Sequence, residues 1–205
     1  MTASCHLLDP SAPLPFSDAA AVLWDSLQAS AAARGDAVAF RRLVDRHGAA
    51  LHRFCRNLLG CEHEAEDICQ ETFVRVWRAL PKYQEKGQFR AWVWQIALNL
   101  CRDSARSKRR RARWLCSWPV DGTEELAGGA VAPDEAASLQ NDLARLARGM
   151  ELLPEKLRLS LWLFSVENLS QAECATVLGL SVRAVETRVF RARKQLLDWW
   201  NSGAA

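Results

Sequence analysis

The spacing of apolar residues is the feature that most restricts the fold of this chain. Between Asp36 and Gly60, apolar side chains recur every three or four positions, which places them on one face of an α-helix. Two segments with the same spacing follow, one ending at Pro81 and one starting at Phe89. No run of strand-like residues is long enough to build a sheet. The sequence therefore predicts an all-α protein.

Turn-forming residues divide the helical segments into two groups. Residues 116–133 contain three glycines and two prolines and have no apolar periodicity, as expected of a linker. We predict two small helical domains, one at 36–113 and one at 138–200, joined by a flexible linker at 114–137. Residues 1–35 are rich in serine, alanine and proline and are expected to form a variable, loosely held extension.

Charge and cysteine content exclude several classes of protein. The net charge is only +3, so local clusters of charge indicate partners better than the total does. The seven cysteines include no C-x-x-C pair, and their odd number argues against a disulfide framework. No stretch approaches about 18 uninterrupted apolar residues, and the N-terminal residues lack a signal-peptide pattern. We therefore expect a soluble protein in a reducing cytoplasm.

The segment Leu169–Leu197 has the pattern of a helix-turn-helix. Ser170 and Glu173 have the spacing of a capping box, Gly179 allows a left-handed turn, and Ser181 can cap a second helix. With its valines turned inward, that second helix presents a basic, hydrogen-bonding face. Such a face suits phosphates and base edges in a major groove. An ordinary solvated basic face is the simpler alternative, but it does not account for the turn pattern.

Both halves of the chain carry longer motifs. Residues 153–156 (LPEK), 168–170 (NLS) and 184–193 (AVETRVFRAR) resemble the C-terminal domain of bacterial sigma factors of the extracytoplasmic-function (ECF) class. Residues 64–73 (EAEDICQETF) and 89–99 (FRAWVWQIALN) resemble the second conserved domain of the same family. Two motifs in the family's order are jointly specific. The resemblance implies an alternative sigma factor that binds core RNA polymerase, directs it to specific promoters and helps to melt the −10 element.

The resemblance assigns an acidic stretch of the first domain to the polymerase. In the family, this helix binds the clamp coiled coil of the core enzyme, and the matching positions here are Glu66, Asp67, Gln70 and Glu71. Carboxylates near a helix N-terminus also stabilise the helix through its dipole. The two roles are compatible.

The resemblance further implies that residues 83–103 open the −10 element and hold an unpaired base, for which aromatic faces and polar edges are suited. Phe89 and Trp92 share the apolar face and are expected in the core, whereas Asn99 is expected to contact a base. Residues 102–113 include seven basic residues and one acidic residue, so this run is expected to bind phosphates. The alternative is a solvated tail. The predicted −10 residues are Tyr83, Trp94, Asn99, Arg102, Asp103, Arg106 and Arg109.

The second helix of the helix-turn-helix is implied to bind the −35 element through Arg183, Ala184, Glu186, Thr187, Phe190, Arg191 and Lys194. Glu186 departs from the family pattern, in which many members carry a basic residue. Its carboxylate either accepts a hydrogen bond from a cytosine amine or pairs with a neighbouring arginine. The implied partners are core RNA polymerase, promoter DNA that is double-stranded at −35 and melted at −10, and an anti-sigma factor that is often membrane-anchored. No cofactor or small-molecule substrate is expected.

Three other functions are weaker. A one-component regulator that binds an operator without polymerase would leave the motifs of the first domain unexplained. A metal or redox sensor is suggested by five neighbouring residues, but their spacing matches no recognised ligand pattern: His52, Cys55, Cys61, His63 and Cys69. An enzyme is disfavoured because the sequence lacks a phosphate-binding glycine-rich loop, a nucleophile elbow and a zinc-protease helix. We expect no catalytic residue and no bound metal.

Overall fold

The computed structural model describes residues 19–84, 87–114 and 134–202, and every regular element within these ranges is helical. This confirms the predicted fold class. The predicted linker lies mostly outside the described residues. The elements are α1 (Ala19–Ala33), α2 (Ala37–Leu59), α3 (Glu62–Ala79), a 3-10 turn (Leu80–Lys82), α4 (Phe89–Trp114), α5 (Asp134–Leu152), α6 (Glu155–Ser165), α7 (Gln171–Leu178) and α8 (Val182–Asn201).

Local sequence signals set the ends of α2. The Asp36 carboxylate oxygen Oδ1 accepts hydrogen bonds from the backbone amides of Val38, at 2.9 Å, and Ala39, at 3.0 Å. These bonds satisfy amides that have no partner within the helix. Gly60 ends the helix with a φ of +68°, a conformation that a side chain would strain. Both ends lie where the sequence predicts them.

Helix α1 is part of the first domain, whereas the sequence analysis expects a loose extension. Ala29 and Ala32 are buried against the neighbouring helices, and α1 packs on α2, α4 and the 3-10 turn. Alanine side chains are small, so an alanine-rich helix can pack closely against its neighbours. Such a helix lacks the large, regularly spaced apolar side chains that identify a buried helix in a sequence. Residues 1–18 of the predicted extension lie outside the described residues.

The first domain comprises α1 to α4, with Leu51, Phe54, Val76 and Leu98 among its buried residues. Helix α4 continues to Trp114, through the whole basic run at 102–113. The second domain comprises α5 to α8. The sequence analysis expects two tethered domains, and the structure adds a direct contact in which α4 packs against α7.

Helices α5 and α8 are in close contact at Gly149. A Cβ atom at this position would lie 2.7 Å from Leu196 Cδ1 and from two ring atoms of Trp199. Gly48 in α2 differs, since a Cβ there would lie 4.0 Å from Phe73 Cε2, which is an ordinary contact.

We expect Gly149→Ala to lower the free energy of unfolding by about 1–3 kcal/mol, because overpacking outweighs the better helix propensity of alanine. Gly48→Ala is the matched control and should stabilise the chain by about 0.5–1 kcal/mol. Urea unfolding followed by circular dichroism measures both. Equal shifts of the two midpoints would contradict the close helix contact at Gly149.

Candidate nucleic-acid interface

Helix α7 begins as the sequence predicts. The Ser170 hydroxyl accepts a hydrogen bond from the Glu173 amide at 3.2 Å, and Glu173 Oε2 accepts one from the Ser170 amide at 2.8 Å. These reciprocal bonds form the predicted capping box. Gly179 then ends α7 with a φ of +66°, and the turn leads into α8. The predicted helix-turn-helix is therefore present.

Helix α8 presents most of the predicted −35 residues to solvent. Ser181 caps the helix by accepting a hydrogen bond from the Ala184 amide at 3.2 Å, and Val185 and Val189 are buried beneath it. Ala184 itself is half-buried. The outward face is long, exposed and mainly basic, which is the shape and charge that a major groove accepts. Its exposed residues are Arg183, Glu186, Thr187, Phe190, Arg191 and Lys194.

Helix α4 exposes only part of the predicted −10 set. Asn99, Asp103 and Arg106 are exposed, with 3.7 Å between Arg106 Nη2 and Asp103 Oδ1, and Arg102 is half-buried. Trp94 is 1% exposed and lies in the core, so neither face of its ring is open to a base in this arrangement. The side chain of Arg109 lies outside the described residues.

An aromatic cluster connects the 3-10 turn to the start of α4. The rings of Tyr83 and Trp92 stack with centroids 4.4 Å apart, and both are half-buried. Phe89 meets each of them edge-on at 6.0 Å and is almost fully buried, as the sequence analysis expects. The same analysis places Trp92 in the core, yet its ring keeps some exposure. The stacked pair is therefore partly open to solvent, whereas Phe89 is not.

Helix α3 carries the predicted polymerase-binding residues. Glu66, Asp67 and Gln70 are exposed, whereas Glu71 is half-buried and accepts a hydrogen bond from Arg75 Nε at 2.7 Å. Val74, which was not among the predicted residues, is 41% exposed and lies one turn beyond Gln70. Its helical spacing from Asp67 and Gln70 could have identified it. An exposed valine beside carboxylates suits a protein partner better than DNA.

Comparison with known proteins agrees with both halves of this description. The family model for sigma-70 region 2 matches residues 43–111, and the model for sigma-70 region 4 matches residues 143–196. RNA polymerase sigma factor CnrH of Cupriavidus metallidurans is 39% identical over 176 residues, which cover 84% of this chain and 92% of CnrH. ECF RNA polymerase sigma factor SigW of Bacillus subtilis is 31% identical over 170 residues, which cover 80% of this chain and 89% of SigW.

The chain belongs to the ECF sigma factors. It is an alternative sigma factor, a protein that directs RNA polymerase to promoters. A solved structure of CnrH with the cytosolic domain of CnrY matches it with a TM-score of 0.64 and 34% identity, over 88% of this chain and 99% of CnrH. RpoE of Bartonella quintana, solved with the anti-sigma factor NepR, matches with a TM-score of 0.63 over 80% of this chain and 98% of RpoE. At 21% identity, that second likeness shows the fold alone.

The two domains of the sigma factor meet at an ion pair that the sequence analysis missed. Arg90 donates to Glu173 through Nε, at 3.1 Å from Oε1, and through Nη2, at 2.9 Å from Oε2. Arg90 Nη2 also donates to the backbone oxygen of Asn168 at 2.9 Å, and Gln95 Nε2 donates to that of Thr176 at 3.2 Å. Since 83 positions separate Arg90 from Glu173, no local pattern could have indicated the pair.

The pKa values of two buried carboxyl groups at this contact are shifted in opposite directions. Burial raises the pKa of Glu173, but the hydrogen bonds and charge of Arg90, together with the bonds from Ser170, outweigh it, so the net pKa is lowered. Burial also raises the pKa of Glu167, and here the raising effect dominates. The hydrogen bond from Trp162 Nε1, at 3.1 Å, offsets it only in part. The sigma factor therefore favours a charged Glu173 in this contact.

Three of the five cysteines that the structure of the sigma factor describes are buried: Cys55, Cys101 and Cys174. The pKa of the Cys55 thiol is raised by its hydrogen bond with Cys101 and by burial, and burial raises the pKa of Cys174 to about 12. Buried protonated thiols are poor metal ligands. Among the described residues, His52, Glu62 and Glu66 form a group whose ligand atoms lie within 4.8 Å of one another. That group contains none of the cysteines that the sequence analysis considered.

Within the ranges that the structure describes, no helix of the sigma factor combines the length and apolar content that a membrane crossing requires.

Proposed function

We propose that three exposed helix faces bind three different targets during promoter recognition. The acidic face of α3 (Glu66, Asp67, Gln70 and Glu71) binds core RNA polymerase, with Val74 at its edge. The exposed part of α4 around Asn99 binds the −10 element, and the outward face of α8 binds the −35 element. The observation that carries this proposal is the exposure of polar residues on three separate helices, each with a charge suited to its partner.

The contacts of α4 with the −10 element also explain promoter melting. We infer that α4 and the half-buried Tyr83–Trp92 pair trap an unstacked base, while basic residues hold the single-stranded backbone. Trapping an open state supplies free energy without nucleotide hydrolysis by this chain. The two DNA contacts also raise each other's effective concentration because they lie on one polypeptide. The chain catalyses no reaction itself, and RNA synthesis belongs to the polymerase.

We also propose a protein inhibitor as a partner. The relative CnrH was solved with the cytosolic domain of CnrY, and its likeness to this chain extends over 88% of the sequence. An anti-sigma factor with a cytosolic domain, anchored in the membrane, would bind this chain in the cytoplasm and keep it from the polymerase.

Run-off transcription tests the proposed function. Core RNA polymerase with this chain should give defined transcripts from a promoter library, and core polymerase alone should give none. A gel-shift assay with and without core polymerase distinguishes the alternative of a one-component regulator. Specific DNA binding by the free chain, with no effect on transcription by core polymerase, would overturn the assignment of the three faces.

Glu186→Lys tests how α8 recognises sequence. If the exposed Glu186 carboxylate accepts a hydrogen bond from a base, the substitution should change the preferred base at one −35 position by about 5- to 100-fold, since one good base contact is worth about 1–3 kcal/mol. Sequencing of transcripts from a library randomised at −35 measures the change. An unchanged preference would assign Glu186 to a structural role, and Gln195→Lys, an exposed change further along α8, controls for added charge.

A further inference from the structure

Helix α1 lies before the range that the sigma-70 region 2 model matches, since that range begins at residue 43. Its contacts nevertheless extend into that range. It packs on α4 and on the 3-10 turn, and Val22 Cγ1 lies 3.7 Å from the position that a Cβ would take at Gly87. Helix α1 therefore packs beside the start of the predicted −10 segment, which runs from 83 to 103.

The buried charge of α1 is Asp25, which is 5% exposed. Its Oδ1 accepts a hydrogen bond from His47 Nε2 at 3.0 Å and lies 3.4 Å from Arg46 Nε. The Arg46 guanidinium in turn lies 4.7 Å from the centre of the Trp24 ring. These partners hold the Asp25 carboxylate in one place, and His47, also buried, is held with it.

The His47 ring packs against aromatic residues of α4. It meets the Trp94 ring edge-on, with centroids 5.7 Å apart, and lies 6.2 Å from the Phe89 ring. Phe89 packs edge-on against Tyr83 and Trp92, the stacked pair beside the 3-10 turn. A continuous series of contacts therefore runs from α1 to the half-buried Tyr83–Trp92 pair.

We propose that Asp25 is a positioning residue for −10 recognition, acting through His47 and the aromatic cluster. The inference rests on the proposed function of α4. Without the carboxylate, the buried His47 Nε2–H has no acceptor, and the ring turns or admits water to satisfy it. Phe89 and Trp94 then lose a fixed neighbour, and the residues that contact the base lose their exact placement while the rest of the fold persists. Recognition depends on such placement, because a loosely supported site binds with less discrimination.

The test compares base preference at the two promoter elements in the same holoenzyme, formed from core polymerase and the full chain. Two promoter libraries are transcribed, one randomised at −10 and one randomised at −35. Asp25→Ser keeps a small polar residue but is too short to reach His47. It should reduce base discrimination at −10 about 5- to 10-fold and leave discrimination at −35 unchanged. Asp25→Asn keeps an oxygen acceptor and should retain most of the discrimination at −10.

The control is Leu23→Ala, on the exposed side of α1, which should change neither preference. Three results would overturn the proposal: unchanged −10 discrimination in Asp25→Ser, parallel losses at both elements, or an Asp25→Asn variant as impaired as Asp25→Ser. The last two would mean that Asp25 only supports the general stability of the first domain. If the unaltered chain gave no transcripts at all, the proposed function itself would fail, which is a separate outcome.

Discussion

Replacing Glu173 with alanine is expected to lower the free energy of unfolding by about 2–4 kcal/mol, because it removes two interactions at once. Glu173 completes the capping box of α7, and it accepts two of the three hydrogen bonds that the Arg90 side chain donates. The substitution leaves the Arg90 guanidinium without its carboxylate in a largely buried place. Urea unfolding at neutral pH measures the loss, and probes in each domain show whether the two domains still unfold together.

The same variant has a defined pH dependence. The pKa of Glu173 is lowered by folding from its ordinary value of 4.5, so its stabilising contribution is complete above that value and is lost as the pH falls through the lower, folded-state pKa. The difference in stability between the unaltered chain and Glu173→Ala should therefore be constant from pH 7 to pH 5 and should shrink under more acidic conditions. Glu167, whose pKa is raised, is present in both chains, so its opposite effect on stability cancels when the two unfolding free energies are subtracted.

Glu151→Ala is the matched control, since Glu151 is an exposed glutamate at the end of α5. It should change the unfolding free energy by less than about 0.5 kcal/mol at any of these pH values. A difference for Glu173→Ala that stays constant into the acid range would contradict the assignment of its lowered pKa to the Arg90 pair.

Reversing two charges on α3 is expected to have the largest effect on function. The double variant Glu66→Lys, Asp67→Lys should weaken binding to core RNA polymerase about 100-fold or more, which corresponds to about 2.7 kcal/mol. Both side chains are exposed, and the ion pair of Glu66 with His63, at 3.9 Å, lies at the surface, so the fold should persist. Like charges would then meet across the proposed interface, which is costly and slows association.

Fluorescence anisotropy of the labelled chain, titrated with core polymerase at about 0.15 M salt, measures this affinity. The control is Asp45→Lys, Glu151→Lys, which changes the net charge by the same amount at exposed positions of α2 and α5. If both double variants lost affinity equally, total charge would govern the encounter and α3 would have no special role. Unaltered DNA binding by α8 in the first variant would confirm that only the polymerase contact has changed.

Local rules explain why much of the architecture could be predicted. The ends of α2 and α7 depend on Asp36, Gly60, Ser170 and Gly179, each of which acts within four positions of its own place in the chain. The outward face of α8 follows from the 3.6-residue period once Val185 is placed inside. These interactions require no knowledge of distant residues, which is why the sequence predicts them.

Trp94 shows where local rules fail. It follows Trp92 and Val93 in a helix with both apolar and polar faces, and the family resemblance implies that it contacts DNA. In the structure it is buried, because His47 of α2 packs against its ring and α7 packs on the same helix. When neighbouring helices cover two sides of a helix, they bury side chains that its apolar periodicity alone would predict to be exposed.

The spacing of apolar residues, with the capping residues beside it, was enough by itself to determine an all-α chain, the helix-turn-helix and the outward face of α8, because helix formation and capping act over a few neighbouring positions. Only the tertiary structure decided that α1 belongs to the first domain, that Asp25 reaches the aromatic cluster through His47, and that Arg90 pairs with Glu173. Those contacts join residues far apart in sequence, and their free energy exists only once distant helices have packed together.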